Sequence, residues 1–136
     1  MEIKMIETVK SSIVNHPDTP ISNAVLAGAM VFTVQVPRDP QTFSPSGEGD
    51  IRHQADRVFS QLAHVLECAG SDMQHVAQMT IYLVNSDDAA GMNEVYKRYF
   101  PAAPYPNRAT VVVKQLLGPN CLIEIVVHAM RKQDAA

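Results

Sequence analysis

Residues 121–130, CLIEIVVHAM, restrict the fold more than any other stretch of the chain. Read as a strand, they place Ile123, Ile125, Val127 and Ala129 on one face and Leu122, Glu124, Val126 and His128 on the other. Both faces are largely apolar, so a sheet containing this strand needs cover on two sides. Only two helices are available to supply it. From Ile51, apolar residues recur at three and four (Ala55, Val58, Phe59, Leu62, Val65, Leu66, Ala69), with Arg52, Gln54, Asp56 and Gln61 falling between them. Asp50 is placed to cap this helix and Gly70 to end it. Ser86, Asp87 and Asp88 offer caps for a second helix with the stripe Met92, Val95, Tyr96, Tyr99 and Phe100, which Pro101 stops.

The remaining segments read as strands and loops. Ile3, Met5 and Thr8 begin a short strand, and residues 11–22 form a long loop. Residues 24–36 are two apolar runs around Gly28, a hairpin that Pro37 and Pro40 end. The Ser-, Pro- and Gly-rich residues 41–49 predict a flexible connection. In residues 76–84, Met79, Ile81 and Leu83 share one face while Thr80 and Tyr82 share the other. Pro101, Pro104 and Pro106 stiffen a loop carrying Tyr105, which leads into a β-branched strand from Ala109 to Val113, and Gly118, Pro119 and Asn120 turn the chain into the last strand. The order β-β-β-α-β-α-β-β describes a single α+β domain over residues 1–136, with both helices on one sheet face. A neighbouring subunit is the economical cover for the other face.

Charge and composition exclude several classes. Eleven Lys and Arg against fourteen Asp and Glu, with no basic run longer than two, leave no footprint for nucleic acid. The N-terminal MEIKMIETVK lacks the continuous apolar core of a secretory signal or membrane anchor, which predicts a reducing, cytoplasmic setting. Cys68 and Cys121 are far apart and are expected as buried free thiols. His16, His53, His64, His75 and His128 show no ligand spacing, so no metal site is expected. Neither a nucleophile motif nor a phosphate loop is present.

Two residues stand out against this background. Glu124 is a carboxylate within an apolar strand, either solvated at a sheet edge or a proton carrier whose pKa its surroundings raise. Arg108 follows the proline-stiffened loop at the entry of a strand, either as a solvated loop residue or as a planar fork for a carboxylate ligand.

Four segments in register then carry a resemblance: VFTVQVPRDP, MNEVYKRYFP, YPNRATVVV and LIEIVVHAM. Together they resemble the Rid, or reactive intermediate deaminase, family of YjgF type. The resemblance implies a chorismate-mutase-like domain with a mixed six-stranded sheet, assembled as a trimer around a central barrel with clefts between subunits. It also implies cofactor-independent hydrolysis of 2-enamino and 2-imino acids to 2-oxo acids and ammonia; non-catalytic binding of small carboxylates is the alternative. By the same resemblance Arg108 binds the substrate carboxylate and Glu124 helps place the attacking water. Thr110 offers its carbonyl to that water, and Thr33, Val34, Asn93 and Tyr105 line the cleft. Three positions depart from the family pattern: Val34 replaces a common Gly, Pro20 or Ile21 a Tyr, and Val126 a frequent Glu.

Overall fold

The computed structural model describes residues 5–13, 15 and 18–133. Its strands are β1 (Ile6–Thr8), β2 (Ala24–Ala27), β3 (Met30–Gln35), β4 (Val76–Leu83), β5 (Asn107–Val112) and β6 (Ile123–Met130), with helices α1 (Ile51–Cys68) and α2 (Ala89–Tyr99). They form one six-stranded sheet in the order β1-β2-β3-β6-β4-β5. Neighbours are antiparallel except β4 and β5, which run parallel and are joined through α2.

The alternation in β6 is as expected, with Ile123, Ile125, Val127 and Ala129 buried and Glu124, Val126 and His128 partly exposed. The buried set packs with Val31, Met79, Ile81 and Leu83 against the apolar stripes of α1 and α2 in one core. Phe59 of α1 holds the second helix, its ring lying 5.9 Å from Tyr96, 5.5 Å from Tyr99 and 6.2 Å from Phe100. The opposite face of the sheet stays open, exposing Phe32 and Val34 of β3, Val111 of the edge strand and Met130.

Local signals set the limits of α1. Asp50 accepts a hydrogen bond from the His53 backbone N–H at 3.0 Å, and Gly70 takes up φ +76° just past the end. The second helix begins differently. Ser86–Asp88 form a 3-10 turn, and Asp88, already in helical conformation, makes no side-chain cap bond. A turn that feeds α2 directly leaves no extended residue from which a cap could reach back. The short first strand starts at Ile6, with Met5 exposed and Ile3 outside the described residues. Cys121 is buried as expected, whereas Cys68 is exposed at the end of α1, beside His64.

Gln54 and Gln61 correct the helical pattern most clearly. Read as polar-face residues, both are buried, and both tie α1 to loops. Gln54 donates to the carbonyls of Gly49 and Asn120 and accepts from the Leu122 N–H at 2.7 Å. The connection 41–49 is accordingly more structured than its composition predicts: Ser46 N–H donates to Pro37, Gly47 N–H donates to Pro119, and Arg38 and Pro45 form a β-bridge. Gly47 lies so close to the 118–121 turn that a Cβ there would come within 1.9 Å of the Asn120 carbonyl oxygen. Gly47→Ala is therefore expected to lose about 1–3 kcal/mol of stability, the usual range for overpacking, in chemical denaturation. An unchanged midpoint would mean that the two loops separate freely.

Candidate functional site

Strand β5 begins at Asn107, two residues earlier than the sequence predicts, which puts Arg108 inside the sheet edge instead of in the preceding loop. Its register partner is Met79, a buried residue of the helix-facing side, so Arg108 shares that side and reaches α2. There the guanidinium lies 4.5 Å from the centre of the Tyr96 ring. Burial raises the Tyr96 phenol above its usual pKa, and the Arg108 charge partly offsets this. Next to this stack is a cavity of about 490 Å³ whose walls include Asn93, Lys97, Pro101 and Tyr105. One α2 turn away, burial and the Asp56 carboxylate push the Tyr99 phenol up to about 12, and its hydroxyl donates to Asp56 at 2.7 Å.

Glu124 belongs to a second cavity, of about 560 Å³, walled by Ile21, Asn23, Val34, Val36, Arg38, the segment Thr42–Pro45 and other residues. Burial raises the Glu124 carboxyl above its ordinary pKa, and it has no hydrogen bond or ion pair among the described residues. Its partner across the sheet is Tyr82 on the open face. Within one chain Arg108 and Glu124 therefore stand on opposite faces of the sheet, in separate cavities.

The other sequence candidates divide in the same way. Asn93 and Tyr105 join Arg108, and Val34 and Ile21 join Glu124. Thr33 lines neither cavity: it is buried on the helix-facing side, donates to the Asn23 carbonyl at 2.7 Å and accepts from Gln35. Thr110 is exposed on the edge strand and lines neither cavity. Val126 is on the open face, paired with Val34 across β3 and β6. Among the described residues, no cluster of His, Cys, Asp and Glu could hold a metal ion, and no helix is long and apolar enough to cross a membrane.

Sequence reasoning missed Arg38. Only 8% exposed, it donates to the Phe43 carbonyl at 2.7 Å and to the Asn15 side chain at 3.1 Å, while its backbone N–H donates to Gln61. Burial lowers its pKa. Gln54 and Gln61 are seven residues apart and so on one helix stripe, flanking buried Val58; that spacing was the available signal for a buried polar row, of which Gln61 meets the 35–38 segment and Gln54 the 120–122 turn.

A mixed sheet with two helices on one face and a cavity on each side defines a small α+β protein whose candidate sites lie at the sheet surface. The chain belongs to the Endoribonuclease L-PSP family, whose model matches residues 13–131 and in which RutC and Rid proteins fall. It is 35% identical over 126 residues to a RutC family protein of Synechocystis, covering 92% of this chain and 94% of that one. It is 30% identical to a 2-iminobutanoate/2-iminopropanoate deaminase of Dermatophagoides farinae, covering 86% and 90% of the two chains. Among solved structures, E. coli TdcF with bound serine superposes with a TM-score of 0.82 at 29% identity, covering 93% of this chain and 99% of that one. The resemblance read from the four segments thus holds for the family and for the mixed six-stranded sheet with two helices.

Proposed function

We propose that the chain hydrolyses 2-imino and 2-enamino acids to 2-oxo acids and ammonia in clefts between the subunits of a homotrimer. The observation that carries this reading is Glu124: a partly buried carboxyl, without a hydrogen bond or ion pair among the described residues and with a raised pKa, on the wall of a cavity. Such a group takes a proton from water more readily than an ordinary carboxylate does. In the reaction a water oxygen bonds to the electrophilic iminium carbon while one of its protons passes to Glu124. The carboxyl then returns that proton to the nitrogen, and the C–N bond breaks as the carbinol hydroxyl gives its own proton to the freed Glu124 carboxylate; ammonia leaves, the oxo acid remains, and Glu124 releases the proton to solvent. An enamine first gains a proton at its β-carbon to become the imine. Arg108 holds the substrate carboxylate by its planar fork, and Asn93 and Tyr105 line the wall beside it. The relatives support the reading, since one is named an imine deaminase and another is described with a bound amino acid.

Assembly is required because Arg108 and Glu124 face away from each other within one chain. A neighbour packed on the open face covers Phe32, Val34 and Val111 and brings its own edge strand to the Glu124 cavity. Sedimentation is expected to show a trimer at micromolar concentration; a folded monomer would separate the two residues and end this reading. The activity itself is tested by ammonia release from imines generated in situ by an amino-acid oxidase. No acceleration over the spontaneous rate with any small imine would overturn it.

A further inference from the structure

A chain of side-chain amides determines what the Glu124 cavity offers a ligand. Gln61 is fixed at both ends, accepting from the Arg38 N–H at 3.2 Å and donating to the Val36 carbonyl at 2.8 Å. Its amide also donates to the Gln35 side-chain oxygen at 3.2 Å, which orients Gln35. Gln35 must then donate onward, to the Asn23 Oδ1 at 3.0 Å and the Thr33 hydroxyl at 2.9 Å. With its oxygen so engaged, Asn23 can turn only its Nδ2 away from the relay, and that nitrogen is buried without a partner among the described residues. Arg38, whose side chain also contributes to the wall of this cavity, likewise has its Nε buried without a partner among the described residues.

These two orphans share a sign. Both are N–H donors, and a buried donor left unpaired bears the full cost of its lost hydration. The rest of the Arg38 guanidinium meets only neutral acceptors, the Phe43 carbonyl and Asn15 Oδ1, and it forms no ion pair among the described residues. A buried cation with no ion pair among the described residues, in a cavity whose wall also holds an unspent amide hydrogen, calls for an anionic oxygen ligand.

We propose that Asn23 and Arg38 form a second anion subsite in the Glu124 cavity, which accepts a carboxylate on the substrate's side chain and so directs the enzyme to 2-imino dicarboxylic acids. The assignment of the first carboxylate to Arg108 rests on the deaminase reading; the subsite itself does not.

The test is calorimetric titration of the whole protein with 2-oxoglutarate and with 2-oxobutanoate, which share the 2-oxo acid head and differ in the second carboxylate. Wild type is expected to bind 2-oxoglutarate at least about ten-fold more tightly, the effect of one charge-assisted hydrogen bond. Asn23→Asp keeps the oxygen that Gln35 needs but replaces the free donor with a negative oxygen, supplying Arg38 with an internal counter-charge. It is expected to remove the preference. Arg38→Lys, with melting curves to confirm folding, is expected to reduce it. Equal binding of the two ligands by wild type, binding of neither, or an unchanged preference in Asn23→Asp would overturn the subsite. Ammonia release separates the two proposals. Turnover of monocarboxylic imines without a 2-oxoglutarate preference leaves the deaminase standing and the subsite not; the preference without turnover of any imine does the reverse.

Discussion

Glu124→Gln is expected to lower kcat for imine hydrolysis by about 10²- to 10⁴-fold, the range for loss of a general acid–base group, while making the folded protein more stable at neutral pH. The two effects have one cause. Burial raises the carboxyl pKa, so the folded state holds this proton more tightly than the unfolded state does. Between the two pKa values the native state carries more bound proton, and stability falls as pH rises. The stabilising contribution is complete below the unfolded value, near 4.5, and is lost as pH climbs through the raised folded value. A glutamine cannot ionise and escapes this loss. The variant should therefore melt above wild type at neutral pH, with the difference disappearing in acid, while wild-type kcat should rise with pH through the same raised pKa. Full activity in Glu124→Gln would remove the residue from catalysis. A variant less stable than wild type at neutral pH would show that the carboxylate has a favourable partner in the assembled protein.

Most of the framework was legible because local chemistry and global packing agree there. Asp50 and Gly70 bracket α1 by capping and by a left-handed φ, both of which depend on residue type alone. The β6 alternation is equally direct. Strand β5 was harder. Arg108, Thr110 and Val112 share one side and Ala109 and Val111 the other, yet almost every position is exposed because this is an edge strand, so no hydrophobic period announces which way Arg108 points. Its side follows from the parallel pairing with β4, a long-range fact without a sequence signature. For that reason Arg108 and Glu124 could be singled out as candidates from the sequence but not placed on opposite faces. The buried amide relay was hidden differently. Gln and Asn are ordinary surface residues by composition, and only their hydrogen-bond partners in other elements make Gln35, Gln61 and Asn23 part of a cavity wall.

Arg108→Ala is expected to weaken 2-oxo acid binding by about 10- to 150-fold, corresponding to the roughly 1.5–3 kcal/mol of a hydrogen bond to a charged group. Titration of the variant measures this directly, and sedimentation alongside it shows whether the assembly survives. The structure adds a condition that the sequence did not show: the guanidinium does not stand alone but rests on the Tyr96 ring. That contact holds one face of the fork and leaves its edge for a ligand, so affinity should depend on the platform as well as on the charge. Arg108→Lys keeps the charge and loses the bidentate edge, and it should recover only part of the binding. Tyr96→Leu keeps Arg108 intact and removes the ring beneath it; a loss of several-fold is expected, about the 0.5–1 kcal/mol of a cation–π contact at a partly exposed site. Wild-type affinity in Tyr96→Leu would mean that the arginine is positioned by something other than the Tyr96 ring. Unchanged affinity in Arg108→Ala would transfer carboxylate recognition to the other cavity, where Arg38 is the cation on the wall.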